Sequence, residues 1–105
     1  MNIEKLHQLC GETLKFLGRN YQIYLAVEEM AELQKELLKD ANRGRSVRDE
    51  IIEETADVMI MLEQLINIYQ MRQEVTARID EKLARLDERL EYYRKKEVED
   101  GVAGN

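Results

Sequence analysis

The chain contains no proline, no tryptophan, one phenylalanine, one histidine, one cysteine and only five glycines among 105 residues. A β-sandwich or barrel needs many tight turns, so the scarcity of glycine and proline argues against both. The single cysteine, Cys10, excludes an intramolecular disulfide and a multi-cysteine zinc site. No apolar run approaches the roughly 18 residues of a membrane span. Basic charge is also short: 16 bases face 22 acids, for a net charge of −6. That balance argues against a protein that coats nucleic acid. The N-terminus mixes acids and bases and lacks the apolar stretch and cleavage site of a signal peptide, so a cytoplasmic protein is expected.

What is present points to helices. Apolar residues make up 44% of the chain and charged residues 36%, the latter well above the roughly 25% of an average domain. An all-α fold of four helices with charged outer faces is expected. The first helix runs from about Asn2, a candidate N-cap, to Leu17, with Ile3, Leu6, Cys10, Leu14 and Leu17 on one face. Gly18-Arg19-Asn20 reads as the turn, with Asn20 capping a second helix from about Tyr21 to Ala41. Gly44 is free to adopt positive φ beyond it. Ser46 and Asp49 have the spacing of a capping box for a third helix, from about Val47 to Tyr69. The fourth runs from about Glu74 to Lys96, with a seam of Val75, Ile79, Leu83, Leu86, Leu90 and Tyr93. Nothing between Tyr69 and Gln73 breaks a helix. A continuous helix would measure about 75 Å, too long for a chain of this size, which places a turn near Gln70–Arg72. Residues 1–97 read as a single domain and residues 98–105 as a disordered tail.

The informative feature is where the acids fall on the helical wheel. On the third helix Ile51, Ile52, Val58, Met59, Met61, Leu62, Leu65 and Ile66 form a broad apolar arc. Glu54 falls inside it and Asp57 at its edge, while Glu53 points to the polar side with Gln64. On the second helix Glu29 falls between Leu25 and Leu33, flanked by Glu32 and Glu36, and Glu28 points away. An ionised carboxylate is costly to bury without a partner. Here two helices each aim an i, i+3 acid pair inward, Glu29/Glu32 and Glu54/Asp57. One such pair alone is an ordinary solvated face, and Lys35 or Arg85 would satisfy a single acid through an ion pair. Four converging carboxylates instead call for hard divalent cations, Mg²⁺ or Mn²⁺.

These residues carry a resemblance. Val27-Glu28-Glu29-Met30-Ala31-Glu32-Leu33 and Glu53-Glu54-Thr55-Ala56-Asp57-Val58 resemble the two signature segments, E-x-x-E and E-x-x-D, of the MazG-like nucleoside triphosphate pyrophosphohydrolases. The spacer between Glu32 and Glu54 is 21 residues (33–53), and the similarity extends from about Asn20 to Leu90. It implies an all-α bundle completed by oligomerisation. It also implies Mg²⁺-dependent hydrolysis of a nucleoside or deoxynucleoside triphosphate between its α and β phosphates, giving a monophosphate and pyrophosphate. By the match, Glu29, Glu32, Glu54 and Asp57 would be the catalytic metal ligands. Arg78, Lys82, Arg85 and Arg89 make a basic stripe on the fourth helix, within which Lys82 and Arg85 match the family's basic pair as phosphate contacts. Asn67 is a further polar candidate, with Lys35, Arg43 and Arg45 behind it. The chain lacks the histidines and aromatic-rich segments of phosphoribosyl-ATP pyrophosphohydrolase, and it is shorter than dimeric dUTPases.

Phe16, Tyr21, Tyr24, Tyr69, Tyr92 and Tyr93 are the available base-stacking residues, though each reads first as core or interface. His7 and Cys10 read as structural. A chain of this length buries only about 60–70% of its unfolded surface, and the third helix is apolar around more than half its circumference. A homo-oligomer, dimer or tetramer, is therefore expected. The alternative is a non-enzymatic oligomeric helical module that binds through its apolar seam, with Met30, Met59, Met61 and Met71 lining an adaptable interface.

Overall fold

The computed structural model describes residues 1–43 and 46–101, and all regular structure within them is α-helical. Four helices follow in order: α1 (Ile3–Leu17), α2 (Arg19–Arg43), α3 (Arg48–Tyr69) and α4 (Arg72–Glu99). Among the described residues no helix is long and apolar enough to cross a membrane. The chain divides into two units, Met1–Gln70 carrying α1 to α3 and a second beginning at Met71 and carrying α4.

Local sequence explains most of the boundaries. Asn2 caps α1, its side chain accepting from the Lys5 N–H at 3.0 Å, which satisfies one of the donors a helix start leaves free. Gly18 ends α1 at φ 86° and ψ 163° and donates its N–H to Leu14 O. That conformation is open essentially to glycine alone, so a single residue turns the corner. Arg19 and Asn20 then belong to α2, and the expected three-residue turn is shorter than predicted. Asn20 is not a cap; its side chain accepts from Arg19 Nη1 at 3.3 Å.

The expected capping box at Ser46 and Asp49 does not form. Val47 occupies the N-cap of α3 with no side-chain cap bond, and its burial in the core fixes the helix start instead. The expectations for Gly44 and Arg45 lie outside the described residues. At the far end, α3 closes on Gln70 in the left-handed region, φ 48° and ψ 52°. That residue supplies the turn without glycine or proline. α4 runs on through Val98 and Glu99, two residues of the expected disordered tail; residues 102–105 lie outside the description.

Within the first unit, α3 packs chiefly against α2, with α1 laid mainly on α3. The buried positions are Cys10, Ala26, Val47 and Met61 together with Gln22, Glu36 and Gln64. Polar side chains are thus nearly as numerous inside as apolar ones. Gln64 was expected on the polar face of α3 but is 5% exposed. Conversely Ile52, Met59 and Leu62, expected within the covered arc, are exposed along with Tyr69. The physical reason is that α2 and α1 cover only part of the circumference of α3.

Among the described residues the second unit is a single amphipathic helix and offers nothing of its own to cover the seam of Ile79, Leu83, Leu86 and Leu90, all exposed. Its polar side is laced by Arg94, which reaches Asp87 at 3.2 Å and Glu91 at 2.8 Å.

Candidate metal centre

Glu29 on α2 meets Glu54 and Asp57 on α3. Each offers one carboxylate oxygen, and the three atoms lie within 4.8 Å of one another. The meeting follows from antiparallel packing, since α2 and α3 are joined by a short connection and each puts an acid on its facing side. Glu29 and Glu54 are half-buried, and Glu54 Oε2 is enclosed with no hydrogen-bond partner.

The electrostatics are those of acids forced together. Burial pushes the Glu29 carboxyl above its ordinary value, and the neighbouring Asp57, Glu54 and Glu28 push it further. Glu54 is raised by burial and then by Asp57, Glu32 and Glu36. Contact with Asp57 raises Glu29 further, while contact with Glu29 partly offsets the rise of Glu54. Both carboxyls are thus held above their ordinary values by enclosure and mutual repulsion.

A cation would relieve the same repulsion. Oxygens around one divalent ion lie roughly 3–5 Å apart at metal–oxygen distances of about 2.0–2.6 Å, and the three here lie within 4.8 Å of one another. The all-oxygen donor set and the unpartnered Glu54 oxygen fit a hard ion such as Mg²⁺ or Mn²⁺.

The fourth expected ligand, Glu32, is exposed and is not in the three-atom cluster, though its charge acts on Glu54. Glu53 and Glu28 are exposed, as their wheel positions predicted. Glu36 is 8% exposed and pairs with Lys39 through one oxygen at 3.1 Å. Its other oxygen is unpartnered. Asn67 lies ten residues beyond Asp57, about 15 Å along the helix. It does not join the carboxylates, and its carbonyl accepts from the Gln70 N–H. Lys82 and Arg85 belong to the second unit, on α4.

The aromatic candidates are all exposed: Phe16, Tyr21, Tyr24, Tyr69, Tyr92 and Tyr93. None forms core within the single chain. Arg19 stacks over Tyr69 at 5.3 Å, and Tyr92 and Tyr93 meet edge to face. His7 Nε2 lies 3.4 Å from Glu63 Oε2, tying α1 to α3. Cys10 is buried as expected, and burial followed by the Glu63 charge raises its thiol pKa, which makes it unreactive.

Sequence patterning does not assign Gln22 or Gln64 to the interior, yet both are buried. The available signal was the spacing of seven in Gln22, Glu29 and Glu36, which keeps all three within about 20° of one face per step. Compared with known family models, curated proteins and solved structures, the chain matches none.

Proposed function

We propose that the chain hydrolyses a ribo- or deoxyribonucleoside triphosphate at its α–β phosphate bond, releasing the nucleoside monophosphate and pyrophosphate with Mg²⁺ or Mn²⁺. The observation that carries this reading is the meeting of Glu29, Glu54 and Asp57 oxygens within 4.8 Å. The resemblance of the E-x-x-E and E-x-x-D segments to the MazG-like pyrophosphohydrolases supports it. A triphosphate carries about four negative charges, so carboxylates can hold it only through cations.

Glu29, Glu54 and Asp57 would hold the ion, with Glu32 near enough to add its charge. When bound, a divalent ion neutralises the phosphates and lowers the pKa of a coordinated water. The chain's own part is positioning. Packing of α2 on α3 fixes the carboxylates before substrate arrives. Phosphoryl chemistry depends mainly on such placement and charge neutralisation. Lys82 and Arg85 are proposed phosphate contacts on the strength of the resemblance. Asn67 is no longer favoured.

The working unit is proposed to be a homo-oligomer, dimer or tetramer. The exposed strip on α3 and the exposed seam on α4 support it. The same seam favours the second reading, a helical interaction module without catalysis.

Pyrophosphate release from the eight common nucleoside triphosphates, with and without Mg²⁺, tests the proposal. Mg²⁺-dependent release from at least some of them, matched by the monophosphate, is expected. Release of inorganic phosphate instead, or no release from any, refutes it. Melting with and without Mg²⁺ separates the two readings, because an ion that binds only the assembled carboxylates raises Tm.

A further inference from the structure

The largest fully buried side chain among the described residues is a glutamine. Gln22 is 0% exposed, and neither its Nε2 nor its Oε1 has a hydrogen-bond partner. Gln64 on α3 is likewise buried, with its Oε1 unpartnered. Enclosing an amide without partners is unfavourable, and leucine or methionine would fill similar space without that cost. An orphaned polar group in a core therefore calls for a reason.

Position supplies one. Gln22 lies seven residues before Glu29, and Gln64 lies seven residues after Asp57. Each step is two helical turns, about 10 Å, and returns to nearly the same face. Because α2 and α3 run antiparallel, both steps lead toward the same end of the helix pair. The two amides thus form a second polar level on the facing sides of α2 and α3, displaced from the carboxylates by about the length of a nucleoside monophosphate.

A glutamine amide presents a donor beside an acceptor. That pattern matches the neighbouring donor and acceptor on a nucleobase edge, as in bidentate glutamine–adenine pairing. We propose that Gln22 and Gln64 form a base-reading subsite, taking the nucleobase of a nucleotide whose phosphates lie at Glu29, Glu54 and Asp57. The inference rests on the nucleotide reading above and adds to it the residues that set specificity. The amides are covered in the free chain, so binding displaces the side chains over them. A base that leaves either amide unpaired is rejected, because enclosed groups then stay unsatisfied.

The test uses the full chain. In the wild type, the side-chain amide NMR signals of Gln22 and Gln64 are followed while nucleosides without phosphate are added in the absence of metal. Both signals are expected to shift with at least one nucleoside, and no shift with any of them overturns the subsite. Gln22→Leu and Gln64→Leu are expected to melt no lower than wild type and to keep the Mg²⁺-induced rise in Tm. The spread of kcat/KM between best and worst base is expected to narrow by about tenfold. An unchanged spread in folded variants overturns the proposal while leaving hydrolysis standing. Shifted amide signals in a chain that releases no pyrophosphate would instead remove the hydrolase reading and keep the subsite. Should either leucine variant fail to fold, the wild-type titration alone decides.

Discussion

Two neighbouring methionines on α3 allow the division of that helix into covered and uncovered faces to be measured. Met61 is 7% exposed, whereas Met59, two residues away, is 53% exposed. Truncating a buried methionine to alanine removes its transfer energy and leaves a cavity, at a cost of about 2–5 kcal/mol. For a domain near this size each kcal/mol moves Tm by about 4–8 °C, so Met61→Ala is expected to lower Tm by about 10–20 °C or more. Full burial of a methionine is worth about 1.5–3 kcal/mol. With half its surface already wet, Met59→Ala costs at most about 1.5 kcal/mol in an isolated chain. In a homo-oligomer assembled through this strip, the Met59→Ala penalty grows with protein concentration, because only the wild type gains from assembly. Circular dichroism melts across a wide concentration range, paired with sedimentation velocity, read both effects. Equal costs at the two positions in a chain that sediments as a monomer would refute the assignment of faces. Wild-type melting and sedimentation of Met59→Ala at every concentration would refute assembly through the strip.

Glu54→Gln removes a ligand charge at nearly constant volume. It is expected to abolish both Mg²⁺-dependent turnover and the Mg²⁺-induced rise in Tm while leaving helicity intact, whereas Glu53→Gln on the exposed face is nearly silent. Identical behaviour of the two would show that the helix is phased wrongly. The raised carboxyls of Glu29 and Glu54 also fix a pH dependence. Their folded values lie above the ordinary 4.5, so the stability they contribute is full below about pH 4.5 and lost as pH rises through the folded values. Metal-free protein should therefore lose this contribution as pH rises above about 4.5, and the difference in Tm with and without Mg²⁺ should widen as it does; a difference that shrinks with rising pH contradicts the assignment. The glycines of α1 offer a paired test of backbone freedom. Neither Gly11 nor Gly18 has an atom within 4 Å of an added Cβ. Gly18→Ala therefore costs only backbone strain, about 1–3 kcal/mol, while Gly11→Ala inside the helix gains about 0.5–1 kcal/mol. Urea unfolding reads both, and a loss at Gly11 or a gain at Gly18 would contradict the respective argument.

The helices were legible because helix formation is written locally. Asn2 announces its cap, and within α1 the steps of four through Leu6, Cys10 and Leu14 mark the covered face, while Ile3 and Leu17 at the ends of the same stripe are exposed. The convergence of Glu29, Glu54 and Asp57 was legible because each acid sits where its helix should be apolar. Glu32 was placed with them by its i, i+3 spacing, its wheel position beside Glu29 and the E-x-x-E resemblance; it lies on the exposed side of α2, where its charge still acts on Glu54. The fate of Gln22 and Gln64 was hidden for a different reason. A polar residue on a wheel is assigned outward by default, and only tertiary packing reveals an amide enclosed between helices. The same limit applies to Ile52 and Met59, whose apolar character says that they should be covered but not by which partner. Val47 displaced Ser46 as the start of α3 because its burial overrode local capping preference.

Gln70 has a consequence for where the hydrogen-bond ladder of α3 stops. Its left-handed backbone, φ 48°, costs a non-glycine residue roughly 1–2 kcal/mol, and its N–H is held by the carbonyls of Ile66 and Asn67. Nothing else between Tyr69 and Gln73 forbids a helix. Moving Gln70 and its neighbour Met71 (φ −118°, ψ 22°) into the right-handed helical region would let the hydrogen-bond ladder of α3 run on into α4. Glycine at position 70 would remove the strain and keep the helix break, whereas alanine there would raise its cost and favour the continuous ladder.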